Sequence, residues 1–313
     1  MRWALPLAAV LTVLFILTIH GILAVQAPVG APVAVVEGWI PEAQLDAVAD
    51  TLMRRRYERV HTVGTVRPFS YHLVAGEAVT VDLRSPATGD FTLTAAGLPG
   101  AEVAVLADGD TLVRWPMAVG LARFSIQLPT AVHRVIVAAL NPQPPPGGAP
   151  SVFTLWAGID GRGLHVLQDS TVFLRADGPS VPAWPTYAHL AAAKLIDLGV
   201  PAERITIVPA WGEPDSRTWA NAATFGAFAR QQSYTAVDLL ALGVHARRSR
   251  ALMRRGCGEG VQVGVIALED PRCPSQGWWR HWKGWFYVLK EVVGSGEPYA
   301  VDLTRLSGAI FSA

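Results

Sequence analysis

The sequence predicts an α/β protein: a doubly wound parallel sheet interrupted by an all-β sandwich and preceded by one transmembrane helix. Three observations predict it. Apolar strand-like runs alternate with helical periods over residues 33–64 and again after Pro185. The stretch between them switches to a period of two. One uncharged segment of membrane-spanning length opens the chain. The 313 residues can bury two separate cores. Apolar residues at 51 %, charged residues at 16 % and a mean hydropathy of +0.30 exclude a disordered chain. A multi-spanning transporter is excluded as well, because no second apolar stretch reaches the ~18 residues that a span requires. The net charge of +1, from 26 basic and 25 acidic residues, provides no global field for nucleic acid, which is not expected as a partner.

Ala4 to Val25 reads ALPLAAVLTVLFILTIHGILAV, 22 residues without a charge. As a helix this is about 33 Å long at ~1.5 Å per residue. A cleaved signal peptide is the alternative, but Pro28 or Pro32 would follow the cut and the run exceeds the roughly 7 to 15 residues of a signal core. The reading is an uncleaved anchor over residues 1–27, with membrane lipid as its partner. Arg2 precedes the run and no Lys or Arg follows before Arg54. That asymmetry predicts a single-pass protein of a bacterial inner membrane with its body facing the periplasm or exterior. Cys257 and Cys273 permit one disulfide in such a compartment, and two isolated thiols are the other reading.

In the body, VAVVEG (33–38) reads as a buried strand, Pro41 opens a helix over EAQLDAVADTLMRRR, and YERVHTVG is a second strand stopping at Gly64. Residues 67–174 then give short alternating segments, VTVDL, DFTLTAAG, AEVAVLADG, ARFSIQLP, HRVIVAAL, VFTLWAG and LHVLQDSTVFL, which predict a β-sandwich. NPQPPPGGAP (141–150) is too rich in proline for a strand and reads as a stiff loop. After Pro185 come a helix TYAHLAAAKLIDLG capped by Gly199, a strand ITIVPA, a helix SRTWANAATFGAFARQQ, a strand AVDLLALG, a helix ARRSRALMRR and a strand VQVGVIAL. Residues 28–66 and 175–300 therefore form one discontinuous α/β domain, whose ligand crevice lies outside the carboxyl ends of its strands.

The turns at those strand ends hold the candidate ligand-binding residues: Glu37 and Gly38 with Trp39, Gly64 with Thr65, Asp215, Ser216, Thr218 and Asn221, and finally His245, Arg247 and Arg248. Asp215, Ser216 and Thr218 are helix-capping types, and free N–H groups at a helix start attract anions. Arg247 and Arg248 are more pointed. Two cations at a helix N-terminus oppose the dipole unless a phosphate or carboxylate sits there, although splaying to solvent or pairing with Glu213 or Asp215 would also satisfy them. His245 is the candidate acid–base residue, with Glu37, Glu213 or Asp215 as possible helpers. HExxH, CxxC, GxSxG, P-loop and post-strand GxGxxG patterns are all missing, so no metal site is assigned. Near the C-terminus Trp278, Trp282 and Trp285 fall on one helical stripe among Arg280, His281, Lys283 and Lys290. That stripe reads either as a last helix packed on the sheet or as an interfacial helix on lipid.

Together VVEGWIP (35–41), TYAHLAAAKLIDLGVPAERI (186–205), the turn at 215–218 with RTWANA, LGVHARRSRAL (242–252), VGVIALED and GWWR resemble the SanA/YdcF/ElyC envelope family. The HARRSR turn and the tryptophan pair resemble one subgroup of it. The resemblance implies a Rossmann-like α/β fold tethered to a membrane, a role in envelope and cell-wall integrity, and a polar pocket on Gly38, Gly64, Thr218, Asn221, His245 and Arg248. Two departures are visible: Gly64-Thr65 replaces paired glycines, and His189 stands where the subgroup has glutamate. The insert, through FTLTAAGLPGAEVAVLADG, HRVIVAALN and DGRGLHV, is similar to calcium-dependent xylan-binding modules. Asn141-Pro142 replaces a ligand-bearing Asn-Asp there, and Gly161 and Gly163 interrupt the closing pattern, which leaves calcium short of oxygen ligands. Trp115 and Trp156 are the candidate sugar-stacking residues, with core packing as the alternative. The functional expectation is an envelope biogenesis factor binding an anionic, phosphate- or nucleotide-like or glycan-linked ligand. The alternatives are a hydrolase or transferase on a phosphorylated envelope glycan precursor, and a non-catalytic polysaccharide-binding protein.

Overall fold

The computed structural model describes residues 4–140, 151–211 and 216–295. The proline-rich stretch 141–150, Asn141-Pro142, Glu213 and Asp215 lie outside the described residues. In chain order the elements are α1 (Ala4–Leu23), β1 (Val33–Glu37), α2 (Leu45–Arg55) and β2 (Arg59–Thr65). Then follow β3 (Tyr71–Leu73), β4 (Ala78–Ala87), β5 (Asp90–Gly97), β6 (Glu102–Ala107), β7 (Asp110–Pro116), β8 (Ala122–Gln127), β9 (Val132–Leu140), β10 (Val152–Ile159), β11 (Arg162–Gly163), α3 (Leu164–Leu167), β12 (Gln168–Leu174) and β13 (Val181–Pro182). The chain continues with α4 (Tyr187–Asp197), β14 (Ile205–Ala210), α5 (Arg217–Gln231), β15 (Ala236–Leu242), α6 (Ala246–Cys257), β16 (Gln262–Leu268) and α7 (Trp282–Ser295). The chain divides into two compact units, one built from residues 1–65, 188–210 and 214–313, the other from 66–187 with 211–213.

The first unit holds a five-stranded sheet in the order β14-β2-β1-β15-β16, with parallel pairing throughout. Its strands are nearly continuous apolar runs because both faces are covered. Val33, Val35, Leu239 and Val263 meet Phe225 of α5 and Met253 of α6 on one face. Ala34, Val36 and Leu240 meet Leu45, Val48 and Leu52 of α2 and Leu195 of α4 on the other. The helices α5 and α6 approach through Gly226 and Gly256, where an added Cβ would run into the backbone of the facing helix. One charged residue sits inside this sheet for structural reasons. Asp238, in the first half of β15, is fully buried and accepts the backbone N–H groups of Val29 and Gly30 and the Tyr57 hydroxyl.

The second unit is antiparallel. One sheet runs β11-β10-β5-β8, with β3 also paired to β10, and the other runs β13-β12-β4-β9-β6-β7. Phe91, Leu93, Val103, Val105, Val135, Val137 and Val152 fill its core.

The fold-class expectation needs correcting. The chain combines one parallel sheet with two antiparallel ones, and among the described residues no helix is long and apolar enough to cross a membrane. The physical reason is where α1 goes. From Phe15 onward it is part of a protein core: Phe15, Ile16, Ile19 and Leu23 pack on Val244, Cys273, Trp278 and Val288, and His20 Nε2 lies 3.1 Å from the Cys273 carbonyl. Residues 4–14 remain, about 16 Å of helix against the ~30 Å of a hydrocarbon core. The single-pass, periplasm-facing placement falls with the span. Cys257 and Cys273 are both free and buried, which removes the disulfide reading.

Gly226→Ala tests the helix contact through its sign. In an open helix the change would stabilise by roughly 1 kcal/mol, whereas a collision with the Gly256 carbonyl is expected to cost about 1–3 kcal/mol, read as a lower urea midpoint at unchanged slope.

Candidate functional site

The order of the parallel sheet has a switch point between β1 and β15, the place where such sheets hold a ligand crevice. From β1 the chain leaves toward β2 and β14, and from β15 it leaves toward β16, so the turns after β1 and β15 diverge while their strands stay paired. Glu37 ends β1, Trp39 follows it, and His245 is the residue from which α6 departs.

Glu37 is buried at 1 % exposure and accepts a hydrogen bond from Ser249 Oγ at 2.7 Å. Burial pushes its carboxyl above the ordinary 4.5, against the opposing pull of His245, Ser249 and Trp39. The indole of Trp39 stands edge-on to His245, with ring centroids 4.8 Å apart, and its buried N–H meets no acceptor at hydrogen-bond geometry. His245 Nδ1 lies 2.9 Å from Glu291 Oε1, on α7. Burial would raise Glu291. The hydrogen bond and charge of His245, with Arg248 and Lys290 behind them, outweigh that and hold the carboxyl below its ordinary value. An ionised Glu291 accepts only, so Nδ1 carries the proton and Nε2 is the basic nitrogen. The second oxygen of Glu291 is buried without a partner.

The other sequence-derived residues divide. Arg248 is half-buried and close enough to Glu291 to act on its charge, whereas Arg247 is exposed. Gly38 is buried and spends its N–H on the Val63 carbonyl at 2.7 Å. Gly64 is buried opposite Pro209 of β14. Ser216 caps α5 by accepting from Trp219 N at 3.4 Å. Thr218 is half-buried, and Asn221 is buried with Oδ1 unpartnered, yet no hydrogen bond or ion pair among the described residues joins either to His245. His189, half-buried on α4, has its pKa lowered by burial.

Sequence reasoning misses two residues of this cluster, Ser249 and Glu291. Each carried a weak signal. Ser249 shares the buried face of α6 with Ala246 and Met253, and Glu291 continues the inward row Trp285, Val288 of α7. A polar side chain on an inward row needs a buried partner. The C-terminal tryptophan stripe is broken for the same local reason. Trp278 lies in a short turn before α7 and is buried, Trp285 packs beside it, and Trp282 is 70 % exposed.

In the sandwich unit both sugar-stacking candidates are half-buried. Trp115 stacks on Phe124 at 5.2 Å and on Phe91 at 6.5 Å. Trp156 is half-buried and its ring covers the backbone at Gly158. Asp160 gives its carboxylate to the Asp90 N–H at 2.8 Å. Among the described residues no three His, Cys, Asp or Glu side chains converge on a metal position.

No family model matches the chain, and no curated protein does. Two solved structures are similar at a low level. One is a family two carbohydrate esterase from Clostridium thermocellum in complex with cellohexaose, at 9 % identity and a TM-score of 0.21, covering 64 % of this chain and 85 % of the other. The second is the YXIM protein of Bacillus subtilis, at 12 % identity and a TM-score of 0.17, covering 74 % and 69 %. Overlaps this loose carry no argument about function.

The two glutamates should respond oppositely to pH. A carboxyl raised in the folded state favours folding below its ordinary 4.5 and loses that contribution as pH rises through the folded value, so Glu37→Gln is expected to melt higher than the parent at pH 7 with the gap closing below pH 4.5. Glu291, lowered in the folded state, contributes above 4.5 and loses it in acid. Glu291→Gln should therefore be less stable at pH 7, by about 1.5–3 kcal/mol for a charged hydrogen bond, and equal to the parent in acid.

Proposed function

We propose that the crevice between β1 and β15 is the active site of a hydrolase or transferase acting on a phosphoryl-bearing ligand of envelope glycan chemistry. One observation carries the reading: two glutamates flank a single histidine, and their surroundings drive their proton affinities apart. Such a separation is the mark of a site built to handle protons. Glu291 orients His245 through Nδ1, Nε2 takes the proton of the attacking hydroxyl or water, and Glu37, whose carboxyl proton burial holds more tightly, serves the leaving group. Arg248, with Arg247 at the same helix end, provides the charge for the phosphoryl oxygens. The resemblance to the SanA/YdcF/ElyC family supports the envelope assignment, and it supports His245 and Arg248 as pocket residues.

A second reading keeps the ligand and drops the turnover. Its support is that Arg248 already acts on Glu291, which makes the pair resemble a closed structural network that a bound anion would complete.

Turnover of bis(p-nitrophenyl) phosphate and of a uridine-diphosphate sugar separates the two, with inorganic phosphate binding measured in parallel. The enzyme reading predicts that His245→Gln loses at least about 100-fold in kcat while phosphate affinity stays within twofold, and that Arg248→Gln weakens phosphate binding about tenfold. No turnover by the parent, together with a loss of phosphate affinity in His245→Gln, would establish the binding reading instead.

A further inference from the structure

The surface on the far side of α7 from His245 is as unusual as the crevice. Trp282, Phe286, Leu289 and Val293 lie at i, i+4, i+7 and i+11 of α7 and are all exposed, Trp282 at 70 % and Val293 at 60 %. Leu7, Val10, Leu11, Leu14 and Leu17 form a second exposed apolar row on α1. The two rows belong to one helix pair, because Phe15 of α1 stacks on Trp285 of α7 at 6.4 Å. Apolar rows of this length are rare on a surface that faces only water. Their charge is one-sided. Arg280, His281 and Lys283 are exposed at the start of α7 and Lys290 is partly so, while the one acid of α7, Glu291, is turned inward to His245. Neither Arg280 nor Lys283 has a carboxylate partner among the described residues.

We propose that the outer faces of α7 and α1 dock on an anionic lipid surface, with the helix pair lying in the headgroup layer and not crossing it. Tryptophan, apolar rows and basic residues without acidic neighbours suit that layer, where the rings enter the acyl boundary and the cations meet lipid phosphate. A protein partner would be matched by mixed charges around the rim, and none are present on this helix. The surface shares α7 with the crevice but uses the opposite face, so it stands whether or not the crevice is catalytic.

The test is flotation of the full chain with vesicles of phosphatidylcholine alone and with vesicles half of phosphatidylglycerol. Binding is expected to the second and to weaken with salt. The Lys283→Glu and Arg280→Glu variants should each lose about fivefold or more, and Trp282→Ser with Phe286→Ser at least about tenfold. All four positions are exposed, and unchanged melting temperatures verify that the variants fold. Failure of the parent to float, equal binding to both compositions, or self-association that Trp282→Ser with Phe286→Ser abolishes in the absence of vesicle binding would each overturn the proposal. Phosphate affinity at the crevice serves as an independent readout and should not move in these variants.

Discussion

The contact between His245 Nδ1 and Glu291 Oε1, 2.9 Å long with the carboxylate almost wholly shielded from water, is what the rest of the crevice depends on. An imidazole at the start of a helix is otherwise an ordinary polar side chain. Held by an ionised carboxylate, it has a fixed tautomer and a fixed ring plane, and Trp39 meets that ring edge-on. The carboxylate depends in turn on α7, which is seated by Trp278, Trp285 and Val288, and α7 depends on the Phe15 to Leu23 part of α1. The N-terminal helix thus belongs to the platform that delivers Glu291.

Burial acts on the two glutamates in the same direction and is decided differently. At Glu37 a neutral hydroxyl donor and the charge of His245 are too weak to offset desolvation, so the proton is held more tightly. At Glu291 the imidazole is in direct contact and two further cations stand behind it, so the proton is released. Interactions between charges grow strong in a poorly solvated site, and a difference in partners of this size is enough to reverse the outcome. Asp238, equally buried, serves the sheet itself. Its oxygens are filled by two backbone N–H groups and a tyrosine.

Legibility in the sequence followed local pattern. The strand at Ala236–Leu242 is an unbroken apolar run, and the helices at Tyr187–Asp197 and Arg217–Gln231 show their period and caps plainly. The strand at Asp110–Pro116 escaped because none of its residues is buried, which blurs the alternation. The short Tyr71–Leu73 strand escaped because three residues carry too little pattern. Hydropathy reads the apolar N-terminal run as a membrane span, being blind to whether the inward face from Phe15 to Leu23 meets lipid or a row of tryptophans. At the site, Glu37 and His245 were legible from their place after strands. Glu291 was not, because 46 residues separate it from His245 and only the packing of α7 closes that distance.

The central claim is most directly tested by the protonation state of the two His245 nitrogens in the neutral imidazole, read from long-range proton–nitrogen spectra of the labelled full chain and assigned by loss of the signals in His245→Gln. The account predicts a protonated Nδ1 and a bare Nε2, with that preference lost in Glu291→Ala. A protonated Nε2 in the parent, or the same spectrum after Glu291 is removed, would contradict it.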